Sequence, residues 1–266
     1  MGEMCRRRRT ALIALAAVVL AACGAGEAAS PSGSPSTVGN VGRLPGELSD
    51  GTSPAPTSTE PEPSSVPYAT TSDETPPTFS SGRVGEVAGG NQLFVLGDSI
   101  LEATTTAYGG EMCNRLVPHG WTVDIDAENG RDAAAGLQVL EDRLDQGEQW
   151  DASVVMLGNN YRDDPAQFDE QLGEILDLLS PDPVLLLTVT EFEDIQAQVN
   201  DVIRTEAAKR DNVHLLDWAA RTANDDSLVG DDGLHLTDKG RVAIVAMIRL
   251  ALGDAPVGSL GECRDG

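Results

Sequence analysis

Three continuous apolar runs constrain this chain more than any other feature: Leu93-Phe94-Val95-Leu96, Ser153-Val154-Val155-Met156-Leu157 and Val184-Leu185-Leu186-Leu187. A strand with one wetted face alternates apolar and polar residues, whereas a strand covered on both faces is apolar throughout. These runs therefore belong to central strands with helices on both sides. Val123-Asp124-Ile125-Asp126-Ala127 and Val213-His214-Leu215-Leu216 admit polar residues, as edge strands do. Between them lie segments with helical spacing. The clearest has Asp164 as N-cap, Pro165 at its first position, and Phe168, Leu172, Ile175, Leu176 and Leu179 along one face. The last helix starts near Thr237, with Val242, Val245, Ile248 and Leu252 repeating at helical spacing, and stops at Gly253.

Alternating strands and helices predict an α/β fold: a three-layer, flavodoxin-like sandwich around a five-stranded parallel sheet in the order 2-1-3-4-5. In such sheets, ligands bind beyond the carboxyl ends of the strands. The predicted domain spans residues 89–266.

The chain before it is of a different kind. Arg6 to Arg9 precede a run of twelve uncharged apolar residues, Ala11 to Ala22. A permanent membrane-spanning helix takes roughly 20, so residues 1–22 are expected to be a signal peptide. Leu20-Ala21-Ala22-Cys23 resembles the bacterial lipobox, which implies cleavage before Cys23 and a lipid anchor on it. Residues 23–88 are rich in Ser, Thr, Pro, Gly and Glu without apolar periodicity, and are expected to form a disordered stalk. The expected location is the outer face of the bacterial cytoplasmic membrane. No second long apolar segment follows, so a membrane-embedded acyl-donor module is not expected.

Charge narrows the partners. The chain has a net charge of −25, and the predicted domain holds 34 acidic against 12 basic residues. Such a surface repels phosphate backbones, so nucleic acid is not an expected partner. There is no His/Cys spacing of the kind that binds metal, and neither metal nor cofactor is expected. Cys5 leaves with the leader and Cys23 is the lipid site, so Cys113 and Cys263 remain as an even pair. In an exported protein that pair predicts a disulfide.

Candidate chemistry gathers at the strand ends. The first strand runs into Gly97-Asp98-Ser99, where free backbone N–H groups of the next helix can meet a developing oxyanion. Taken alone, Asp98 or Ser99 reads first as a helix N-cap. The sequence lacks the second glycine of the Gly-x-Ser-x-Gly elbow. A serine nucleophile needs a base, and the chain has three histidines. His119 follows the first helix and is expected at the amino ends of the strands. His214 lies inside a strand as a half-exposed structural residue. His235, in Asp232-Gly233-Leu234-His235 before the last helix, is expected on the same sheet edge as Ser99, with Asp232 orienting the imidazole.

Gly97-Asp98-Ser99, Asn129-Gly130-Arg131, Gly158-Asn159-Asn160 and Asp232-Gly233-Leu234-His235, in that order after successive elements, resemble the four blocks of the SGNH hydrolase superfamily. The resemblance implies Ser99, His235 and Asp232 as a catalytic triad, and the Gly130 N–H and Asn160 side chain as oxyanion donors. It implies an ester substrate and an acyl-enzyme, with water or a sugar hydroxyl as acceptor left open. Gly130-Arg131, Asn200 and Asp217-Trp218 resemble the extracytoplasmic SGNH domains of envelope O-acetyltransferases, which points to O-acyl esters of envelope glycans. Asn159 departs from the common Gly-Thr-Asn form, leaving open which amide faces the site, and Tyr161 is a candidate for narrowing the pocket. The alternative is a catalytically idle, glycan-binding lipoprotein that keeps the fold.

Overall fold

The computed structural model describes residues 83–162, 164–256 and 261–265. The leader, Cys23 and the stalk up to residue 82 lie outside them. The described chain runs α1 (Val84–Val87), β1 (Gln92–Gly97), α2 (Ser99–Glu102), α3 (Glu111–Leu116), β2 (Thr122–Ala127), α4 (Ala133–Asp145), β3 (Ala152–Met156), α5 (Pro165–Leu178), β4 (Val184–Leu187), α6 (Ile195–Ala208), β5 (Val213–Leu216), α7 (Trp218–Ala223), α8 (Asp238–Leu252) and β6 (Cys263–Asp265). Among these helices none is long and apolar enough to cross a membrane.

The sheet is parallel throughout, in the order β5-β4-β3-β1-β2-β6. The expected order of the first five strands is present, and the count is six rather than five. The sixth strand is a three-residue piece of the acidic tail, too short and too polar to read as a strand. It lies beside β2, with Val123 opposite Cys263 and Ile125 opposite Asp265, so β2 is an inner strand and not an edge.

Alternation along β1 feeds two cores. Leu93 and Val95 join Val123, Ile125, Val154, Met156, Leu185 and Leu187 in the layer under α3 and α8. Phe94 and Leu96 join Val155, Leu186 and the inner faces of α5 and α6 in the other layer. Within α5 the Asp164 carboxylate accepts from Gln167 N at 3.0 Å, and Phe168, Leu172, Ile175 and Leu176 are buried as the periodicity requires. Gly136 lets α4 approach the sheet, because a Cβ there would fall 2.6 Å from Leu157 Cδ1.

Two boundaries differ from the sequence reading. Residues 84–87, assigned to the stalk, form α1, with Val84 buried and Gly85 packed against the Asp254 carbonyl. Valine in an otherwise polar stretch was too short an apolar signal to mark a domain edge. The single helix expected after β1 is broken into α2, a 3-10 turn at Thr106–Tyr108, and α3. Gly109 and Gly110, which take φ of 108° and 73°, outside the helical region, separate the 3-10 turn from α3.

Cys113 on α3 and Cys263 on β6 form the expected disulfide, with Cα atoms 5.6 Å apart and a sequence separation of 150. Cys113 therefore lies in the helix after the one that begins at Ser99. Opposite β2, the tail is held by three pairs of strand residues and by Asp265, which accepts from Thr106 N at 2.6 Å. In the chain-entropy account, closing a loop of this length stabilises by roughly 4–5 kcal/mol, an upper figure. Cys113→Ser with Cys263→Ser is expected to lower Tm by roughly 5–15 °C and to speed hydrogen exchange in 261–265, while the main parallel sheet persists by circular dichroism. Two alkylatable thiols in the native protein, or an unchanged Tm, would contradict this account.

Candidate active site

Gly97 ends β1, and the chain turns at Asp98 into α2. The Asp98 side chain caps that helix, accepting from Ile100 N at 3.1 Å, and a second oxygen accepts from Asn159 Nδ2 at 2.9 Å. Ser99 stands at the first helical position, buried but for 8% of its surface. Among the described residues its backbone N–H, like that of Gly130, donates no hydrogen bond. With four residues α2 is too short for a sizeable macrodipole, so these N–H groups themselves are what the turn offers an anion.

The second strand ends in a turn closed by Arg131 N donating to Glu128 O at 3.2 Å, with Gly130 in the left-handed region at φ 79°. The Arg131 side chain, 6% exposed, reaches back beneath this turn. Its guanidinium donates to Gly97 O at 3.2 Å, Asp126 O at 2.6 Å and Asp126 Oδ1 at 2.7 Å. After β3, Gly158 takes φ of 126°, and a Cβ there would fall 2.6 Å from Val199. Asn159 turns inward to Asp98, and Asn160 donates from Nδ2 to Arg131 O at 3.1 Å while staying partly exposed. One N–H of the Asn160 amide is left for a ligand. Tyr161 packs edge-on to Phe168 at 5.8 Å, beside a cavity of about 40 Å³ that Gly158, Asn160 and Arg162 also line.

Facing this edge, residues 229–236 form a tight loop, with Gly230 N donating to His235 O at 2.8 Å. Asp232 Oδ1 accepts from the Leu234 and His235 N–H groups, each at 3.0 Å, and Oδ2 lies 2.7 Å from His235 Nδ1. These hydrogen bonds, the one to the imidazole foremost, hold the Asp232 carboxyl down at about 2. His235 is near enough to Asp98 for its charge to lower that carboxyl's pKa. Of the two contacts expected among Ser99, His235 and Asp232, the Asp232–His235 hydrogen bond is present, and among the described residues Ser99 Oγ and His235 make no direct hydrogen bond.

The other flagged residues have structural partners. His119 lies before β2, at the amino end, with Nδ1 2.7 Å from Asp254. His214 is buried rather than half-exposed, because the β4–β5 register and the covering helices enclose it, and burial lowers its pKa. Asn200 is fully buried and brackets Val189, accepting from its N–H at 2.8 Å and donating to its carbonyl at 2.9 Å. Asp217 caps α7, and Trp218 Nε1 donates to Thr190 Oγ1 at 3.0 Å. A larger cavity, about 700 Å³, lies along β2 and β6 between Arg143, Trp150 and Arg264, and contains none of the candidate catalytic groups. Among the described residues no cluster of His, Cys, Asp or Glu is arranged to hold a metal ion.

Sequence reasoning treated Asp98 as a cap and missed that it is a buried charge. Desolvation raises its carboxyl from 3.8 to about 6, against the opposing pull of the Asn159 side-chain hydrogen bond. Between those pH values the folded state holds a proton that the unfolded chain has released. The associated stability is thus present below pH 3.8 and lost as the pH rises through about 6. Asn159 Oδ1 is buried without a hydrogen-bond partner, so a flipped Asn159 can accept from an amide placed at position 98. Asp98→Asn is therefore expected to raise Tm relative to the parent at pH 7.5, and to give a smaller gain or none at pH 3.5. Thermal melts across that range check it, and a Tm difference independent of pH would remove burial of the charge as the cause.

No family model matches the chain. Its sequence is similar to the O-acetyltransferase OatA of Staphylococcus aureus, 27% identical over 155 residues, which cover 58% of this chain and 24% of that protein. It is also similar to the peptidoglycan O-acetyltransferase OatA of Listeria monocytogenes, 34% identical over 80 residues, 30% of this chain and 13% of that one. The aligned region thus spans about a quarter or less of these relatives. In fold, the chain is similar to the C-terminal catalytic domain of Streptococcus pneumoniae OatA, with a TM-score of 0.51 at 17% identity over 62% of this chain and 93% of that one. A family 3 carbohydrate esterase from Clostridium thermocellum gives a TM-score of 0.50 at 15% identity, over 60% and 93% of the two chains. In sequence the domain thus resembles part of the OatA O-acetyltransferases, and in fold it resembles the C-terminal catalytic domain of one of them and a carbohydrate esterase.

Proposed function

We propose that the chain is a serine-dependent O-acyl esterase or acyltransferase of the bacterial envelope, anchored through Cys23, with acyl esters of peptidoglycan-type glycan as its substrates. The observation that carries the reading is the pairing of His235 Nδ1 with Asp232 Oδ2 at 2.7 Å, on the sheet edge where Ser99 begins α2. The substrate class comes from the activity of the similar O-acetyltransferases. The anchor rests on the lipobox-like Leu20-Ala21-Ala22-Cys23.

In this mechanism Asp232 keeps the proton on His235 Nδ1, so that Nε2 is the basic nitrogen. Nε2 takes the Ser99 Oγ proton as Oγ attacks the ester carbonyl. The carbonyl π electrons move to oxygen, and the oxyanion is held by the Ser99 N–H, the Gly130 N–H and the Asn160 side chain. Collapse of the tetrahedral adduct breaks the bond to the alcohol, which leaves with the proton from His235. The serine ester is then cleaved by water, giving hydrolysis, or by a sugar hydroxyl, giving transfer. The open Ser99–His235 side suits this scheme, because such contacts tighten when substrate excludes water.

The test is labelling of the full-length protein with a fluorophosphonate, read by intact and peptide mass spectrometry. One adduct on Ser99 is expected, abolished by Ser99→Ala. Release of p-nitrophenol from its acetate ester is expected to fall by roughly 10⁴-fold or more in Ser99→Ala and His235→Ala, and by less in Asp232→Asn. Acetylated and free chito-oligosaccharides, followed by mass, distinguish hydrolysis from transfer. An unlabelled protein that still binds these glycans would be an idle binding module, and the enzymatic reading would fail.

A further inference from the structure

The most heavily bonded buried side chain at the site belongs to a residue with no part in the mechanism above. From its buried position the Arg131 guanidinium reaches the Gly97 carbonyl at 3.2 Å, the Asp126 carbonyl at 2.6 Å, Asp126 Oδ1 at 2.7 Å and Glu128 Oε2 at 3.4 Å. Its own carbonyl accepts from Asn160 Nδ2 at 3.1 Å. The Gly97 carbonyl takes a second bond, from Glu128 N at 3.2 Å, so the peptide that leads into Asp98 and Ser99 is fixed from two directions.

These contacts join three pieces of chain that are far apart in sequence. Gly97 lies two residues before Ser99, Arg131 directly follows Gly130, and Asn160 ends the turn after β3. They are the pieces that bear the three candidate oxyanion donors. We infer that Arg131 is a positioning residue, setting the Ser99 N–H, the Gly130 N–H and the Asn160 amide at mutual positions that fit a tetrahedral oxyanion. This rests on the serine-esterase reading of the same site. A guanidinium suits the task because its planar fork meets several carbonyl and carboxylate oxygens at once, which an ammonium does not.

An oxyanion hole stabilises charge that is present in the transition state and absent from the ground-state ester. Loss of Arg131 should therefore lower kcat and spare KM. It should leave the pH at which the rate falls unchanged, since the Asp232–His235 pair is untouched. A residue that only supported the fold would lower Tm without this split.

The experiment compares the full chain with Arg131→Met and Arg131→Lys, using p-nitrophenyl acetate kinetics, the fluorophosphonate labelling rate and thermal melts. Folded Arg131→Met is expected to lose about 10²-fold in kcat and in labelling rate, with KM within about 3-fold, on the scale of losing one oxyanion donor. Arg131→Lys should recover only part of this, and guanidinium ion added to Arg131→Ala should raise kcat without shifting the pH profile. A folded Arg131→Met with kcat within 3-fold of the parent, or with the whole loss in KM, would overturn the assignment. If Arg131→Met does not fold, Asp126→Asn takes its place: it leaves the guanidinium present but less firmly held, so an intermediate loss in kcat is expected and an unchanged kcat overturns the proposal. A parent protein in which Ser99 is not labelled at all would instead reject the serine-esterase reading, whatever the Arg131 variants do.

Discussion

β1 is paired along both edges, to β2 and to β3, and covered on both faces, and every other part of the domain takes its place from it. A strand enclosed in this way has its backbone groups committed to two ladders and its side chains to two cores, so its register has no freedom. Its last residue, Gly97, is consequently a fixed point. A Cβ at that position would fall 2.7 Å from Leu101, which keeps the first turn of α2 close to the strand end. Ser99 inherits its place from this turn.

Two charges are buried beside that fixed point, and the structure handles them differently. Arg131 is bonded to carbonyls and carboxylates that replace much of its hydration, and it draws two strand ends and a turn together. Asp98 has hydrogen-bond donors but, among the described residues, no guanidinium or ammonium bonded to it, and burial disfavours its charged form. Both residues limit how the segments after β1, β2 and β3 meet.

The two halves of the site differ in solvation. Ser99 and Asn159 are buried, whereas the His235 and Asp232 side chains are about half exposed. Ser99 is thus enclosed at the strand end, whereas the Asp232–His235 pair sits on a loop open to water. That loop is itself well bonded: Asp232 ties two backbone N–H groups and the imidazole, and Val229 bridges to Leu236. Its neighbour across the gap is the segment after β4, where Phe192 lies against Gly233.

Much of this was present in the sequence because it depends on local periodicity. Unbroken apolar runs mark strands covered on both faces, the Phe168 to Leu179 spacing marks one helix face, and Asp232 and His235 are close enough in the chain for a turn to join them. An even pair of cysteines was enough to expect the Cys113–Cys263 bridge. What the sequence could not supply were relations between distant segments. β6 exists because Val123 and Cys263 meet across 140 residues, not because Cys-Arg-Asp favours a strand. Asp98 reads locally as a helix cap, and its raised pKa comes from burial that only packing creates. Asn159 and Asn160 are adjacent and chemically alike, yet the twist at Gly158 sends one to Asp98 and the other to the Arg131 carbonyl. The role of Arg131 was hidden for the same reason, since hydrogen bonds between the ends of three strands are set by the sheet that brings those ends together.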